Sequence, residues 1–156
     1  MEDLSYARIL SRLQKLCAKA EYCRSDIYRK ALKALDGDTE QASRLVDALV
    51  EDRYVDDARY ACAFAREKAS LQGWGPIKIR FQLRSKGISD PAIAAALEEV
   101  EPARAADKLQ RLLSTKARTL QGDPQFRLKL LKFGLSRGYE YEAVEEAINN
   151  LPRCSG

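Results

Sequence analysis

The sequence predicts an all-α fold: an elongated, curved array of three tandem three-helix units, with nine helices in all. Helix start and stop signals recur along the whole chain. No segment shows a sustained alternation of apolar and polar residues, so no sheet is expected. One apolar helical pattern also recurs twice at an interval of 51 residues, which indicates a repeat.

Helix starts are marked by capping residues and prolines. Asp38 precedes a predicted helix, and Gln41 stands three residues further on, as in a capping box. Ser89-Asp90-Pro91 and Asp123-Pro124 each place a capping side chain before a proline suited to the first helical turn. Gly75-Pro76 marks another start.

Helix ends are marked by glycines. In Lys86-Gly87-Ile88 and Arg137-Gly138-Tyr139, a cation of the last turn precedes a glycine that can adopt a left-handed conformation. These signals predict three triplets of helices. The helices of each triplet are named A, B and C in chain order. The helices span residues 4–22, 24–35, 39–52, 57–72, 76–86, 90–100, 103–121, 124–137 and 140–151. The predicted repeats occupy residues 1–54, 55–101 and 102–156.

The C helix of each triplet carries the same apolar stripe. Its positions follow the i, i+3, i+4, i+7 spacing of a buried helix face. The stripes are Ala42, Leu45, Val46 and Leu49; then, 51 residues on, Ile93, Ala96, Leu97 and Val100; then, 51 further on, Val144, Ala147, Ile148 and Leu151. A triplet of this size buries too little apolar surface to be stable alone, so neighbouring triplets should pack into an array.

Residue usage argues against an enzyme or a metalloprotein. The chain has no histidine, and no GxxxxGK[ST] or GxGxxG phosphate loop. Its four cysteines, Cys17, Cys23, Cys62 and Cys154, have no CxxC spacing. We therefore expect no metal, no cofactor and no catalytic residue, and a carboxylate-based hydrolase is the least favoured alternative.

The N-terminus and the hydropathy pattern indicate the compartment. No basic segment followed by an apolar run opens the chain, and about 18 consecutive apolar residues occur nowhere. The cysteines lie mostly in apolar helical stretches, as is usual in a reducing environment. These patterns predict a cytoplasmic protein without a membrane partner, and we expect a monomer.

Basic and acidic residues are distributed unevenly between the B and C helices, although the net charge of the chain is only +4. The C helices are acidic and the B helices basic. The candidate binding residues are the B-helix cations Arg29, Lys33, Lys78, Arg80, Arg84, Lys86, Arg127, Lys129, Lys132 and Arg137. In one of two possible B-helix registers, the pair Arg29 and Lys33 recurs 51 residues on as Arg80 and Arg84.

Cations on one face would form a basic track. Such a track suits a nucleic-acid backbone, or an acidic groove on a protein wrapped around nucleic acid. Pairing with the acidic C helices, or simple solvation, explains the charges equally well. The aromatic residues, Phe81 among them, lie mostly at core-compatible positions without the pattern of a base-stacking platform.

The segment from Tyr54 to Ser89 resembles the RecX family of bacterial regulators of the RecA recombinase. The residues that carry the resemblance are Asp56, Asp57, Arg59, Tyr60, Phe64, Trp74, Gly75, Pro76, Ile79, Leu83 and Gly87, with Gly138 in the third unit. Most have structural explanations: Asp57 as a helix cap, Gly87 as a helix stop, and Ile79 and Leu83 as core. Cys23 departs from the family's Ser or Thr at the start of a B helix, where Ser25 is a possible replacement cap.

The resemblance implies a function as well as a fold. A RecX-like protein lies along the groove of a RecA filament on single- or double-stranded DNA. There it blocks or destabilises the filament, which lowers ATP hydrolysis, strand exchange and the coprotease activity of the SOS response. The alternative is a helical-repeat nucleic-acid-binding protein whose main ligand is DNA.

Overall fold

The computed structural model describes residues 3–152, and this range contains nine α-helices and no strand. The all-α prediction is therefore confirmed. The helices are α1 (Asp3–Lys19), α2 (Arg24–Ala34), α3 (Thr39–Glu51), α4 (Asp57–Ser70), α5 (Pro76–Ser85), α6 (Asp90–Glu98), α7 (Pro102–Thr119), α8 (Phe126–Ser136) and α9 (Tyr141–Asn149). The B helices are α2, α5 and α8.

Two predicted helix caps are present. The Asp38 carboxylate accepts a hydrogen bond from the Gln41 backbone N–H at 3.1 Å, which caps α3. The Ser89 hydroxyl accepts one from the Ala92 N–H at 3.4 Å, which caps α6. Gly87 has a φ of +78°, as its predicted role as a helix stop requires.

The cap predicted for α4 was wrong by one residue. Asp56, not Asp57, is the N-cap, because its carboxylate accepts from the Arg59 N–H at 3.0 Å. Asp57 already lies inside the helix, where its carboxylate accepts a hydrogen bond from the Arg24 N–H at 2.8 Å. Asp57 therefore serves the N-terminus of α2 rather than its own helix.

The start predicted for α8 differs by two residues, since the helix begins at Phe126 rather than at 124. Asp123 makes a tight turn instead. Its carboxylate accepts from the Gln125 N–H at 2.8 Å, and its carbonyl accepts from the Phe126 N–H at 3.0 Å. Pro124 thus lies in the turn that leads into the helix.

The apolar stripes of the C helices lie in three hydrophobic cores, one in each triplet. Nine of the twelve stripe residues are buried, and Leu97, Val100 and Leu151 are half-buried. Cys23 packs into the second core and Val55 into the first, so each crosses the predicted boundary near residue 54. The domain boundaries themselves stay a prediction.

Packing between helices is concentrated within the triplets, as an array requires. The second and third triplets also touch through α4 and α7. Over residues 3–152, no helix is long and apolar enough to cross a membrane, and no group of three metal-ligating side chains forms. Cys154 lies outside the described residues.

Candidate interaction surface on the second helices

The three B helices meet end to end, and we call this line of helices the B track. The C-terminal end of α8 meets the N-terminal end of α5, where the Gly75 N–H donates to the Arg137 carbonyl at 2.7 Å. The C-terminal end of α5 meets the N-terminal end of α2, where the Ser25 hydroxyl donates to the Lys86 carbonyl at 2.7 Å. The track thus runs in the order α8, α5, α2.

The contact between α8 and α5 is made by backbone, and we call it the glycine junction. The first N–H groups of α5 have no acceptor within their own helix. Carbonyls at the end of α8 accept them, including that of Gly138, which bonds the Ile77 N–H at 2.9 Å. A Cβ on Gly75 would collide with the Gly138 carbonyl, and one on Gly138 would collide with Lys78. Gly138 also has a φ of +90°.

Trp74 lies beside the glycine junction under two lysines. Lys78 Nζ is 4.4 Å from the centre of the indole ring and Lys68 Nζ is 5.1 Å away. The Phe64 ring packs edge-on against the indole at 6.0 Å. Trp74 is therefore half-buried, and Lys78 is held against an aromatic face.

The contact between α5 and α2 is made by side chains, and we call it the charged junction. Lys86 Nζ lies 3.0 Å from the Asp26 carboxylate, which also pairs with Arg29 at 3.3 Å. Nearby, Arg59 bonds Glu21 at 2.9 Å and donates to the carbonyls of Arg53 and Tyr54. Ionic groups thus join the first two units.

The start of α2 depends on this junction. Cys23 occupies the N-cap position without a side-chain cap bond, as expected of a poor capping residue. Ser25 does not replace it, because its hydroxyl donates to the Lys86 carbonyl. The Asp57 carboxylate of the neighbouring unit instead accepts the Arg24 N–H.

Burial and pairing shift the pKa values of the junction groups. Burial raises the pKa of Asp26, but hydrogen bonds from Lys86 and Cys23, with the Lys86 and Arg29 charges, outweigh it. The Asp26 pKa therefore lies below its ordinary value. Burial lowers the pKa of Lys86, yet its bond to Asp26 and other nearby groups raise the pKa overall. Burial is the main reason that the pKa of Cys23 is raised.

The buried residues of the B helices fix their register. The buried pairs are Ile27 and Ala31 in α2, Ile79 and Leu83 in α5, and Leu130 and Gly134 in α8. The intervals between them are 52 and then 51 residues. Arg29 therefore corresponds to Phe81 and to Lys132, and the recurrence of Arg29 and Lys33 as Arg80 and Arg84 belongs to the register that the structure does not adopt.

Six of the ten predicted binding cations make contacts within the protein. Two of the partners are aromatic, since Lys78 lies over Trp74 and Arg137 over Phe133 at 5.2 Å. The other four cations pair with carboxylates: Lys86 and Arg29 with Asp26, Arg84 with Asp90 and Lys129 with Asp123. Within the described part of the chain, no carboxylate pairs with Lys33, Arg80, Arg127 or Lys132.

The pairing of B helices with acidic C helices is limited. Arg24 pairs with Asp47 at 3.1 Å, and Arg84 pairs with Asp90 at 3.1 Å. All four side chains are largely exposed, and such pairs contribute about 0 to 1 kcal/mol. An anionic partner can therefore compete for Arg84 at little cost.

The residues that carried the family resemblance mostly build the fold. Ile79 and Leu83 are buried in the second core. Tyr60 and Phe64 pack together with ring centres 5.8 Å apart, and Phe64 continues the stack to Trp74. Pro76 opens α5 directly after Gly75. These residues contribute to packing and to the start of α5, whereas Asp57 does not cap its own helix.

Sequence reasoning missed an apolar part of the B track. Phe81, taken for a core-compatible residue, is 68% exposed. Ile77, Leu128 and Leu135 are also exposed large apolar residues of these helices. The signal that would have found them is the B-helix register, which places Phe81 opposite the core face marked by Ile79 and Leu83.

The fold and the B track define a class: an all-α repeat protein whose basic second helices form one extended surface. A family model described as the second three-helix domain of RecX matches residues 56–97. The regulatory protein RecX of Chromohalobacter salexigens is 32% identical over 137 residues, covering 86% of each chain. The chain belongs to the RecX family of regulatory proteins.

More distant relatives extend the likeness along the chain. The regulatory protein RecX of Escherichia coli K12 is 28% identical over 159 residues, covering 94% of this chain and 93% of its own. A crystal structure of regulatory protein RecX matches with a TM-score of 0.84 at 25% identity, over 94% of this chain and 72% of the other. RecX from Lactobacillus salivarius shares the fold, with a TM-score of 0.79 at 19% identity.

Proposed function

We propose that this protein binds RecA filaments on DNA and inhibits RecA, lowering its ATP hydrolysis, strand exchange and SOS coprotease activity. It acts as a monomer, by binding in stoichiometric amounts rather than by catalysis. Membership of a family of regulatory proteins supports a regulatory role, and the family name links that role to RecA.

The observation that carries the proposal is the end-to-end order of the B helices. Because α8, α5 and α2 meet end to end, exposed cations of all three units lie along one continuous series of helices. Among residues 3–152, no carboxylate pairs with Lys33, Arg80, Arg127 or Lys132, so an anionic ligand displaces no ion pair of this range at these positions. A long partner with regularly spaced negative charge fits this surface better than a small ligand does.

The test is the effect on RecA's DNA-stimulated ATP hydrolysis as this protein is added from substoichiometric to stoichiometric amounts. We expect inhibition that is complete near stoichiometry. A folded sample that leaves the ATPase rate unchanged contradicts the proposal. Sedimentation of the free protein checks that the inhibitor is a monomer.

A charge-reversal variant tests the role of the track. Changing Arg80 and Lys132 together to Glu should raise the concentration for half-inhibition roughly tenfold, since charge complementarity governs encounter. The matched control changes Arg8 and Arg118 to Glu, which alters the net charge equally on two exposed positions of A helices. Equal losses in both variants would show that only the net charge matters.

The second candidate function is DNA binding without a RecA partner, favoured by the same unpaired cations. Affinity that depends on phosphate contacts falls steeply with salt, by a slope of about 0.9 for each contact on a plot of log K against log salt. If this function is the main one, DNA affinity without RecA equals the affinity for filaments, and the salt slope accounts for both. Tighter binding to filaments than to bare DNA favours the first proposal.

A further inference from the structure

Four exposed apolar side chains lie on the two B helices that meet at the glycine junction, and we call them the apolar strip. They are Ile77 (42% exposed) and Phe81 (68%) on α5, and Leu128 (45%) and Leu135 (41%) on α8. Residues four apart, or seven apart, share a helix face. Each helix therefore presents its two strip residues on one side.

Backbone hydrogen bonds link the two halves of the strip across the junction. The Gly138 N–H donates to the Leu135 carbonyl at 3.0 Å, and the Gly138 carbonyl accepts from the Ile77 N–H at 2.9 Å. Leu135 and Ile77 are thus linked through a single glycine. Because backbone hydrogen bonds hold the two helix ends together, both halves of the strip are fixed before any partner arrives.

The concentration of apolar residues there is unusual for this molecule. Seven large apolar side chains are exposed in the described chain, and α5 and α8 hold four of them. Contiguous exposed apolar surface with a polar rim is a common mark of a protein interaction site. None of the exposed large apolar residues belongs to α2, where Arg29 takes the position of Phe81.

The rim of the strip is basic. Neither α5 nor α8 contains an acidic residue. Arg80 and Arg84 flank Phe81, while Arg127 and Lys132 flank the leucines of α8. A ligand complementary to this surface has apolar groups in the centre and carboxylates or phosphates at the edge.

The aliphatic side chains of the strip favour a protein ligand over a nucleic acid. Ile77, Leu128 and Leu135 gain little from a sugar-phosphate backbone, because that surface offers charge rather than apolar area. Only Phe81 could stack on an unpaired base. Three aliphatic groups and one aromatic group instead resemble the apolar centre of a protein interface with a charged rim.

We propose that the apolar strip is the docking site for a protein segment that carries apolar residues bordered by carboxylates. This inference rests on the proposed function and divides the B track between two ligands. The second and third units contact the protein of the filament through the strip, and α2, whose exposed face is basic, contacts phosphate. The strip thus supplies specificity for a filament over bare DNA.

The experiment compares a strip variant with a matched control on two ligands. The strip variant carries Phe81→Ser and Leu135→Ser. The control carries Leu4→Ser and Leu71→Ser, at residues that are 74% and 73% exposed on A helices or their ends. Labelled forms of each protein are titrated against RecA filaments on single-stranded DNA, and against the same DNA without RecA, alongside the ATPase assay.

We expect the strip variant to bind filaments at least about tenfold more weakly, while its affinity for bare DNA changes by less than about twofold. The control should match the unaltered protein on both ligands. Unchanged filament binding by the strip variant overturns the proposal. Parallel losses on filaments and on bare DNA also overturn it, and make the strip a nucleic-acid contact.

Two further outcomes concern the proposed function and self-association. If the unaltered protein binds filaments without inhibiting RecA, the proposed function fails and the strip is still judged by filament binding. If it binds no filament at all, both proposals fail. Sedimentation of a dimer that the strip variant abolishes would assign the strip to a second copy of this chain, against the proposal.

Discussion

Both junctions of the B track join the C-terminal end of one B helix to the N-terminal end of the next, but they do so through different contacts. At the glycine junction, backbone N–H groups of α5 bond directly to carbonyls of α8, and two glycines leave no room for side chains. At the charged junction, α5 and α2 are joined through Ser25, Asp26 and Lys86. One arrangement of helices can thus be held by backbone alone or by side chains.

The difference should appear as a difference in tolerance. Backbone contacts at van der Waals distance leave no space for an added atom, so the glycine junction should not tolerate substitution but should be insensitive to salt. Ion pairs accept substitution more easily, but they respond to salt and pH. The first unit is therefore joined to the second by a more adjustable contact than the one between the second and third units.

The largest effect is expected from Gly138→Ala. The new Cβ meets Lys78, and the backbone is held at a φ of +90° that alanine disfavours. Overpacking and the unfavourable conformation together should lower the free energy of unfolding by about 2 to 4 kcal/mol. Urea unfolding followed by fluorescence of Trp74, the chain's single tryptophan, measures this loss beside the junction.

Gly87→Ala is the matched control for this change. Gly87 also has a positive φ, of +78°, but a Cβ there meets no atom within 4 Å. Gly87→Ala should lower the free energy of unfolding by only about 1 kcal/mol, which is the conformational cost alone. Equal losses at the two glycines would show that close packing at the glycine junction contributes nothing, and the comparison of the junctions would fail.

Much of this architecture was readable from the sequence, for physical reasons. The nine helices and the C-helix stripe follow from periodicity and capping, which act within a few residues along the chain. The sequence alone did not show that Asp56, rather than Asp57, caps α4. Both are good capping residues, and the choice depends on Arg24, which lies 33 positions away.

The candidate site was predicted less well than the fold. The basic character of the B helices is a property of composition, but their register depends on which residues are buried. Ile27 and Ile79 fix that register, at an interval one residue longer than that of the C helices. The register that the structure adopts separates Arg29 from Arg80, and the buried Ile79 and Leu83 place Phe81 on the exposed face of α5.

A smaller effect is expected from Lys86→Met at the charged junction. Methionine keeps the length of the side chain but leaves Asp26, whose side chain is 18% exposed, without its closer partner. Arg29 still pairs with Asp26, so the loss should be about 1 kcal/mol. The same unfolding assay checks it, with Lys33→Met as a control at an exposed cation of α2.

Salt provides the contrast with the glycine junction. The difference in stability between the unaltered protein and Lys86→Met should shrink as sodium chloride is added, because ions screen a partly exposed pair. The difference caused by Gly138→Ala should stay constant. If both differences respond equally to salt, the two junctions do not differ in the way that their contacts indicate.

The smallest and sharpest effect is the pH dependence of Asp26. Its pKa is lower in the folded protein than in the unfolded chain, so its contribution is complete above the unfolded value of about 3.9. That contribution is lost as the pH falls through the folded pKa. The pKa of Lys86 is raised in the folded protein, so its contribution to stability is complete below the unfolded pKa of about 10.4. That contribution is lost as the pH rises through the folded pKa.

The stability difference between the unaltered protein and Asp26→Asn should therefore be constant from about pH 5 to pH 9. Below about pH 4 it should shrink, because the Asp26 carboxyl of the unaltered protein gains a proton in the unfolded chain before it does so in the folded one, whereas the variant has no carboxyl there to titrate. Unfolding by urea at a series of pH values measures this. A difference that persists undiminished to pH 2 would mean that the Asp26 charge does not hold the charged junction, and that Ser25 and the buried Cys23 join the first two units instead.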